Sequence, residues 1–206
     1  MQFEPKNFES LLGTKGFSER LLKNHFTLYE GYVTNTNKLI ESLSALAKDG
    51  KFGAEFAELK RRFGWEFNGM RLHELYFGNI AKNENCGIDK NSELSKKIVE
   101  AFSSYENWEK NFKAAGAMRG IGWVALYYDA ESGRLFNVWI NEHDAGHLAG
   151  AAPLFVMDVF EHAFMIDYGL KKADYIEAFF KAVDWSAVVK RFAAASFCGR
   201  KKRSRF

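Results

Sequence analysis

The segment Asp158-Val-Phe-Glu-His162-Ala-Phe is an apolar run interrupted by an aspartate and a histidine four residues apart. A carboxylate and an imidazole inside such a run are costly unless they are paired or bound to a cation. Two further histidines, His25 and His73, lie far upstream, each on an otherwise apolar stripe of helical period. A single histidine on such a face is usually a satisfied core residue, but a core rarely needs three. Three imidazoles and one carboxylate form a donor set that suits iron or manganese. Glu161 beside His162 reads either as a surface residue or as a hydrogen-bond partner that fixes the tautomer of an imidazole.

These residues can act together only if four separate elements converge. From about Phe17 to Ala47, Leu21, His25, Leu28, Tyr32, Leu39, Leu43 and Leu46 recur at spacings of three, four or seven, which predicts one long helix. Ser18 is its expected cap, and Asp49-Gly50 its expected stop. A short helix over Ala54–Phe63 is expected next, then a second major helix over Asn68–Ala81 carrying Leu72, His73, Tyr76, Phe77 and Ile80. Asn83–Asn91 is polar and reads as a linker.

The second half alternates differently. Ser92–Phe102 and Tyr105–Met118 read as helices. Trp123–Tyr128 and Leu135–Ile140 read as strands joined by a hairpin turn over Asp129–Arg134. Pro153–Met157 is a short apolar strand leading into Asp158, and helices follow over Asp174–Ala182 and Trp185–Ala195. The expected fold class is α+β: a long antiparallel helical hairpin, then a three-stranded antiparallel sheet packed by helices. The expected division is residues 1–83, residues 92–196, and a disordered basic tail over 197–206 containing Arg200-Lys-Lys-Arg-Ser-Arg205.

Composition narrows the function classes. Two prolines and 20 phenylalanines in 206 residues favour long uninterrupted helices around an aromatic-rich interior. A formal charge of +3 gives no reason to expect a nucleic-acid partner. Cys86 and Cys198 fit no paired motif, so a reduced, cytoplasmic protein is expected. No basic stretch followed by an apolar one opens the chain, and no window reaches about 18 uninterrupted apolar residues, so neither export nor membrane insertion is expected.

Four motifs in order carry a family resemblance. They are His25 with Gly31-Tyr32-Val-Thr-Asn-Thr-Asn-Lys-Leu; Phe67-Asn-Gly with Leu72-His73 and Tyr76-Phe77; Gly120-Ile-Gly122-Trp123; and Asp158-Val-Phe-Glu-His162-Ala-Phe. Over roughly residues 8–195 the chain resembles the iron/manganese superoxide dismutases. The resemblance implies that His25, His73, Asp158 and His162 are the protein ligands of one iron or manganese ion per subunit, with water or hydroxide as the fifth ligand. It implies a reaction that turns superoxide into dioxygen and hydrogen peroxide by alternate reduction and oxidation of that ion. It further implies that Tyr32 is the gateway tyrosine, that Trp123 walls the site, and that Glu161 reaches across a homodimer, or within a homotetramer, to the partner's ligand histidine.

Departures from the family pattern are informative. The family holds a glutamine, less often a histidine, against the metal-bound solvent. Position 69, one source of that glutamine, is glycine here, and His143 matches the histidine-bearing branch, with His147 competing for the role. A histidine there leans toward iron or dual-metal use. Tyr29 and Met165 stand where a histidine and a tyrosine commonly pair across the dimer, and Phe160 stands where tryptophan is usual. Two other readings of the donor set are a non-haem iron oxygenase, which needs only two histidines and one carboxylate, and a non-catalytic homologue whose metal is structural. A metal-dependent hydrolase would have only Glu161 as a general base.

Overall fold

A computed structural model describes residues 2–82 and 87–203, with backbone alone for 198–203. The expected linker over 83–91 therefore lies partly outside the described residues, as does Cys86. After a 3-10 turn at Glu9–Leu11, helix α1 spans Glu19–Lys48 and α2 spans Ala54–Phe77. Then follow α3 (Glu93–Phe102), α4 (Tyr105–Ala117), β1 (Gly122–Asp129), β2 (Arg134–Asn141) and β3 (Ala152–Asp158). A 3-10 turn at Glu161–Ala163 leads into α5 (Met165–Tyr168), α6 (Lys172–Lys181) and α7 (Trp185–Arg203). This is an α+β fold, with a long helical hairpin followed by a sheet packed by helices.

The start of α1 is set by its cap. The Ser18 hydroxyl oxygen accepts from the Leu21 amide at 3.1 Å, and Asp167 of α5 in turn accepts from the Ser18 hydroxyl at 2.6 Å and from its amide at 2.7 Å. The carboxylate fixes the cap and ties the first helix to the segment after β3. The buried face of α1 is turned slightly from the expected stripe. Leu21, Leu22, His25, Tyr29, Val33, Thr36 and Leu43 are buried, while Leu28 is 36% exposed. Tyr29 takes the place expected for Leu28 because its hydroxyl is satisfied, accepting from the Lys6 amide at 3.0 Å and donating to Glu74 at 3.2 Å.

The two helices expected over Ala54–Phe63 and Asn68–Ala81 are one. The Arg62 Nε donates to Glu66 at 2.9 Å, an i,i+4 pair that spans the anticipated break. The helix ends early, at Phe77, because the chain turns to join α6 and α7. The Ala81 amide donates to the Ala182 carbonyl at 2.8 Å, and Ile80 bridges to Val183. At the other end of the chain, α7 continues through Arg203, so the tail expected from residue 197 begins as helix. Its run Ala193-Ala-Ala-Ser-Phe has nothing to stop a helix already formed.

The sheet has order β2-β1-β3 and is antiparallel throughout. The hairpin between β1 and β2 is closed by the Asp129 carboxylate, which accepts from the amides of Glu131 and Ser132 at 3.0 and 3.1 Å. The central strand β1 is buried from Gly122 to Tyr128. Pairing of β1 with β3 slips between Leu126 and Tyr127, leaving Leu154 as the extra residue of a bulge. Helices α2 and α7 pack on β3, and buried side chains from the hairpin and the sheet form one cluster. Arg191 of α7 joins them, donating to the carbonyls of Leu154 (3.0 Å) and Leu75 (3.2 Å) and to the Asn79 side chain. Among the described residues, no helix is long and apolar enough to cross a membrane.

Candidate metal centre

Where α1, α2 and the end of β3 meet, His25, His73, Asp158 and His162 offer donor atoms that all lie within 4.8 Å of one another. The Asp158 Oδ2 is 3.2 Å from His25 Nε2, 3.1 Å from His162 Nε2 and 3.7 Å from His73 Nε2. Asp158 ends β3 opposite Trp123 of β1, and its Oδ1 accepts from the Phe160 amide at 2.9 Å. That bond turns the chain sharply enough to bring His162 back to the same carboxylate. The Tyr175 hydroxyl donates to the Asp158 main-chain carbonyl at 2.6 Å, so α6 also pins this strand end.

The nitrogens tell which face of each ring is free. His73 Nδ1 lies 2.6 Å from the Gly69 carbonyl, which can only accept, so the proton sits there and Nε2 presents a lone pair to the cluster. Among the described residues, that Nε2, fully buried, has no hydrogen-bond partner, and neither does His25 Nδ1. Burial pushes the pKa of His25 down and that of His73 well down, so both rings stay neutral. Burial alone would raise the Asp158 carboxyl, but His162 and His25 outweigh it and hold the group far below the ordinary carboxylate range. An ionised, fully buried carboxylate beside the neutral rings of His25 and His73, with an orphaned lone pair on His73 Nε2, is an unbalanced interior. A cation at the centre balances it. Separations of 3.1–3.7 Å also suit neighbouring donors around an ion with bonds of about 2.0–2.2 Å. The residues present therefore fit iron or manganese.

Beside this cluster stands a chain of hydrogen bonds. The Trp123 indole N–H donates to His143 Nδ1 at 3.0 Å, and His143 Nε2 lies 2.7 Å from the Tyr32 hydroxyl. An indole nitrogen only donates, so Nδ1 is the acceptor, and neutral His143 carries its proton on Nε2 and donates to Tyr32 Oη. Burial lowers the His143 pKa to about 4 and raises that of Tyr32 to about 12, so both are uncharged at neutral pH. The Tyr32 ring stacks on His73 at a centroid distance of 5.2 Å, which sets the chain directly against the donor cluster.

Each residue singled out in the sequence thus has a place. His25, His73, Asp158 and His162 come together; Tyr32, His143 and Trp123 form the adjoining chain; Glu161 is exposed on the surface next to His162. His147 does not enter the cluster and instead contacts the His143 backbone. Sequence reasoning missed Trp65, whose ring meets His143 edge-on at 5.0 Å while Phe160 stacks on His143 at 4.9 Å. Arg62 lies over the Trp65 ring at 4.8 Å. A helical aromatic gives no sign of which neighbour it will face, and the gap expected between helices at Phe63 and Asn68 hid Trp65 further.

Comparison with known proteins agrees with this geometry. Residues 90–191 match the family described as iron/manganese superoxide dismutases, C-terminal domain. Similar proteins include "Superoxide dismutase [Mn] 2" of Haloferax volcanii, 36% identical over 179 residues, covering 86% of this chain and 88% of that one. "Superoxide dismutase [Fe]" of Aquifex pyrophilus is 36% identical over 201 residues, covering 94% and 92%. "Superoxide dismutase [Fe]" of Cupriavidus metallidurans is 36% identical over 183 residues, covering 87% and 90%. With relatives this similar along most of its length, the chain belongs to the iron/manganese superoxide dismutase family.

Proposed function

We propose that this chain is a superoxide dismutase in which His25, His73, Asp158 and His162 hold one iron or manganese ion. The observation that carries the reading is the convergence of three imidazoles and one ionised carboxylate, drawn from both structural layers, around an unpartnered His73 Nε2. When bound, the ion supplies one-electron chemistry: one superoxide gives up an electron and leaves as dioxygen, and a second takes that electron with two protons and leaves as hydrogen peroxide. The donor set carries a net charge of only about −1, which leaves a trivalent ion attractive to a small anion.

The chain's own residues manage protons and access. Trp123 fixes the His143 tautomer, and His143 donates to Tyr32 Oη, so the Tyr32 hydroxyl proton is free to be given rather than held in the chain. Because both groups are neutral at pH 7, they move or orient protons without repelling superoxide. Phe160, Trp65 and Trp123 pack around His143 and keep bulk water from its ring.

Protein loaded separately with iron and manganese tests the reading. Superoxide should disappear with equal yields of dioxygen and hydrogen peroxide. One bound ion per chain with no consumption for either metal would leave a structural metal and no enzyme.

The protein acts as a homodimer in this reading. The His162 side chain is 27% exposed, Glu161 lies open beside it, and Met165 and Ile166 are 41% and 40% exposed on the same segment. A second copy covering this face would shield His162 and the apolar side chains together. Sedimentation should give twice the chain mass, and Glu161→Ala should shift the equilibrium toward monomer; a monomeric wild-type protein would contradict this. Two cysteines in 206 residues suit a reducing, cytoplasmic setting, and recovery of the chain in a secreted fraction would contradict that assignment.

A further inference from the structure

We propose that Tyr127 and His147 form a brace that holds the His143 main chain, making His147 a positioning residue for the reaction. This rests on the dismutase reading. His147 Nε2 lies 2.9 Å from the His143 carbonyl, and its Nδ1 lies 2.9 Å from the Tyr127 hydroxyl. The carbonyl can only accept, so Nε2 carries the proton of the neutral ring and Nδ1 accepts from Tyr127. Both ring nitrogens are satisfied in a single tautomer, and the bonds run in one direction, from Tyr127 through His147 to His143.

The brace matters because of where its two ends lie. Tyr127 is 3% exposed on β1, the central strand of the sheet. Trp123 lies four residues earlier on the same strand, and strand alternation puts both side chains on one face. One rigid strand therefore holds His143 twice, its ring through the Trp123 indole and its backbone through Tyr127 and His147. The segment being held has no regular structure of its own. It is a turn closed by the Asn141 amide on the Ala145 carbonyl at 2.7 Å, with Glu142 at φ +50° and Gly146 at φ +108°. Glycine adopts its positive φ freely, but Glu142 in the left-handed region has a conformation that its surroundings must impose. With the brace in place, the 2.7 Å contact between His143 and Tyr32 does not depend on the turn alone.

The full-length chain loaded with iron or manganese tests the kinetic consequence, and the zinc-loaded chain, a diamagnetic stand-in, tests the geometry by nitrogen NMR of the histidine rings. His147→Leu should lower kcat about tenfold, the lower end of what removing such a supporting contact costs. It should also move the His143 ring-nitrogen resonances. His147→Gln, whose amide can donate to the carbonyl and accept from Tyr127, should restore most of both. Tyr127→Phe should have a smaller effect and add nothing to His147→Leu in the double variant. Unchanged His143 resonances and kcat in His147→Leu would overturn the brace. So would an equal loss in His147→Gln with those resonances unmoved, since that marks general destabilisation. If no variant or wild-type protein consumes superoxide, the dismutase reading fails, while the NMR result still reports on the brace.

Discussion

A methyl group on Gly69 would lie 2.5 Å from the Tyr32 ring, closer than such atoms approach. That one fact links two departures visible in the sequence, the missing glutamine at position 69 and the histidine at 143. With the Tyr32 ring filling the space above residue 69, the partner of Tyr32 has to come from the other layer, and His143 supplies it. Gly69→Ala should therefore push the Tyr32 ring aside and lower kcat several-fold to tenfold while the metal stays bound, since the Gly69 carbonyl and His73 are untouched. Loss of metal, by elemental analysis, would contradict this. Acid lability belongs to the same scale. His143 titrates near 4 when folded and near 6.5 when unfolded, and His25 and His73 are lowered in the same direction. Between those values the unfolded chain binds protons that the folded chain refuses, so stability falls as pH drops through 6.5 toward 4. The Tm of metal-free protein should fall across that range, and His143→Gln should flatten the fall; a pH-independent Tm would sink this account. The four donors were legible in the sequence because buried histidine and aspartate stand out in apolar runs. Trp65 and Tyr127 were not, because a buried aromatic is the expected thing and carries no mark of the neighbour it serves.

At the scale of elements, hydrophobic period located the long helices and the three strands, but not the 3-10 turn at Glu161–Ala163 that carries His162 nor the short α5 after it. The other errors lay where a contact outside the period decided the matter. A break was expected between Phe63 and Asn68, yet the Arg62–Glu66 pair carries α2 through it. The rotated face of α1 follows from Tyr29 finding partners for its hydroxyl, which a count of apolar positions cannot register. The turn between β2 and β3 was read only as a stretch containing two histidines. Its shape depends on Gly146, where a Cβ would lie 2.3 Å from the Trp139 carbonyl oxygen and the backbone sits at φ +108°. Gly146→Ala should cost on the order of 2–3 kcal/mol. The measured loss of Tm should be accompanied by a loss of activity like that of a His143 variant; a stable and fully active Gly146→Ala protein would contradict this description of the turn.

For the whole molecule, the donors span the two structural layers, with His25 and His73 from the hairpin and Asp158 and His162 from the end of the sheet. An ion held between them stabilises the folded state by mass action, about 4 kcal/mol when free metal exceeds its Kd a thousandfold. Metal removal by a chelator should therefore lower Tm markedly, and readdition should restore it. An unchanged Tm would mean that the hydrophobic core alone sets stability. The most direct test of the central claim is the rate of superoxide disappearance per bound ion, measured for the wild-type chain and for His73→Ala. One ion per chain and rapid consumption are expected in the wild type, with both metal content and rate collapsing in His73→Ala. A wild-type chain that binds its ion but leaves superoxide to decay at the uncatalysed rate, or a His73→Ala chain that keeps both metal and rate, would contradict it.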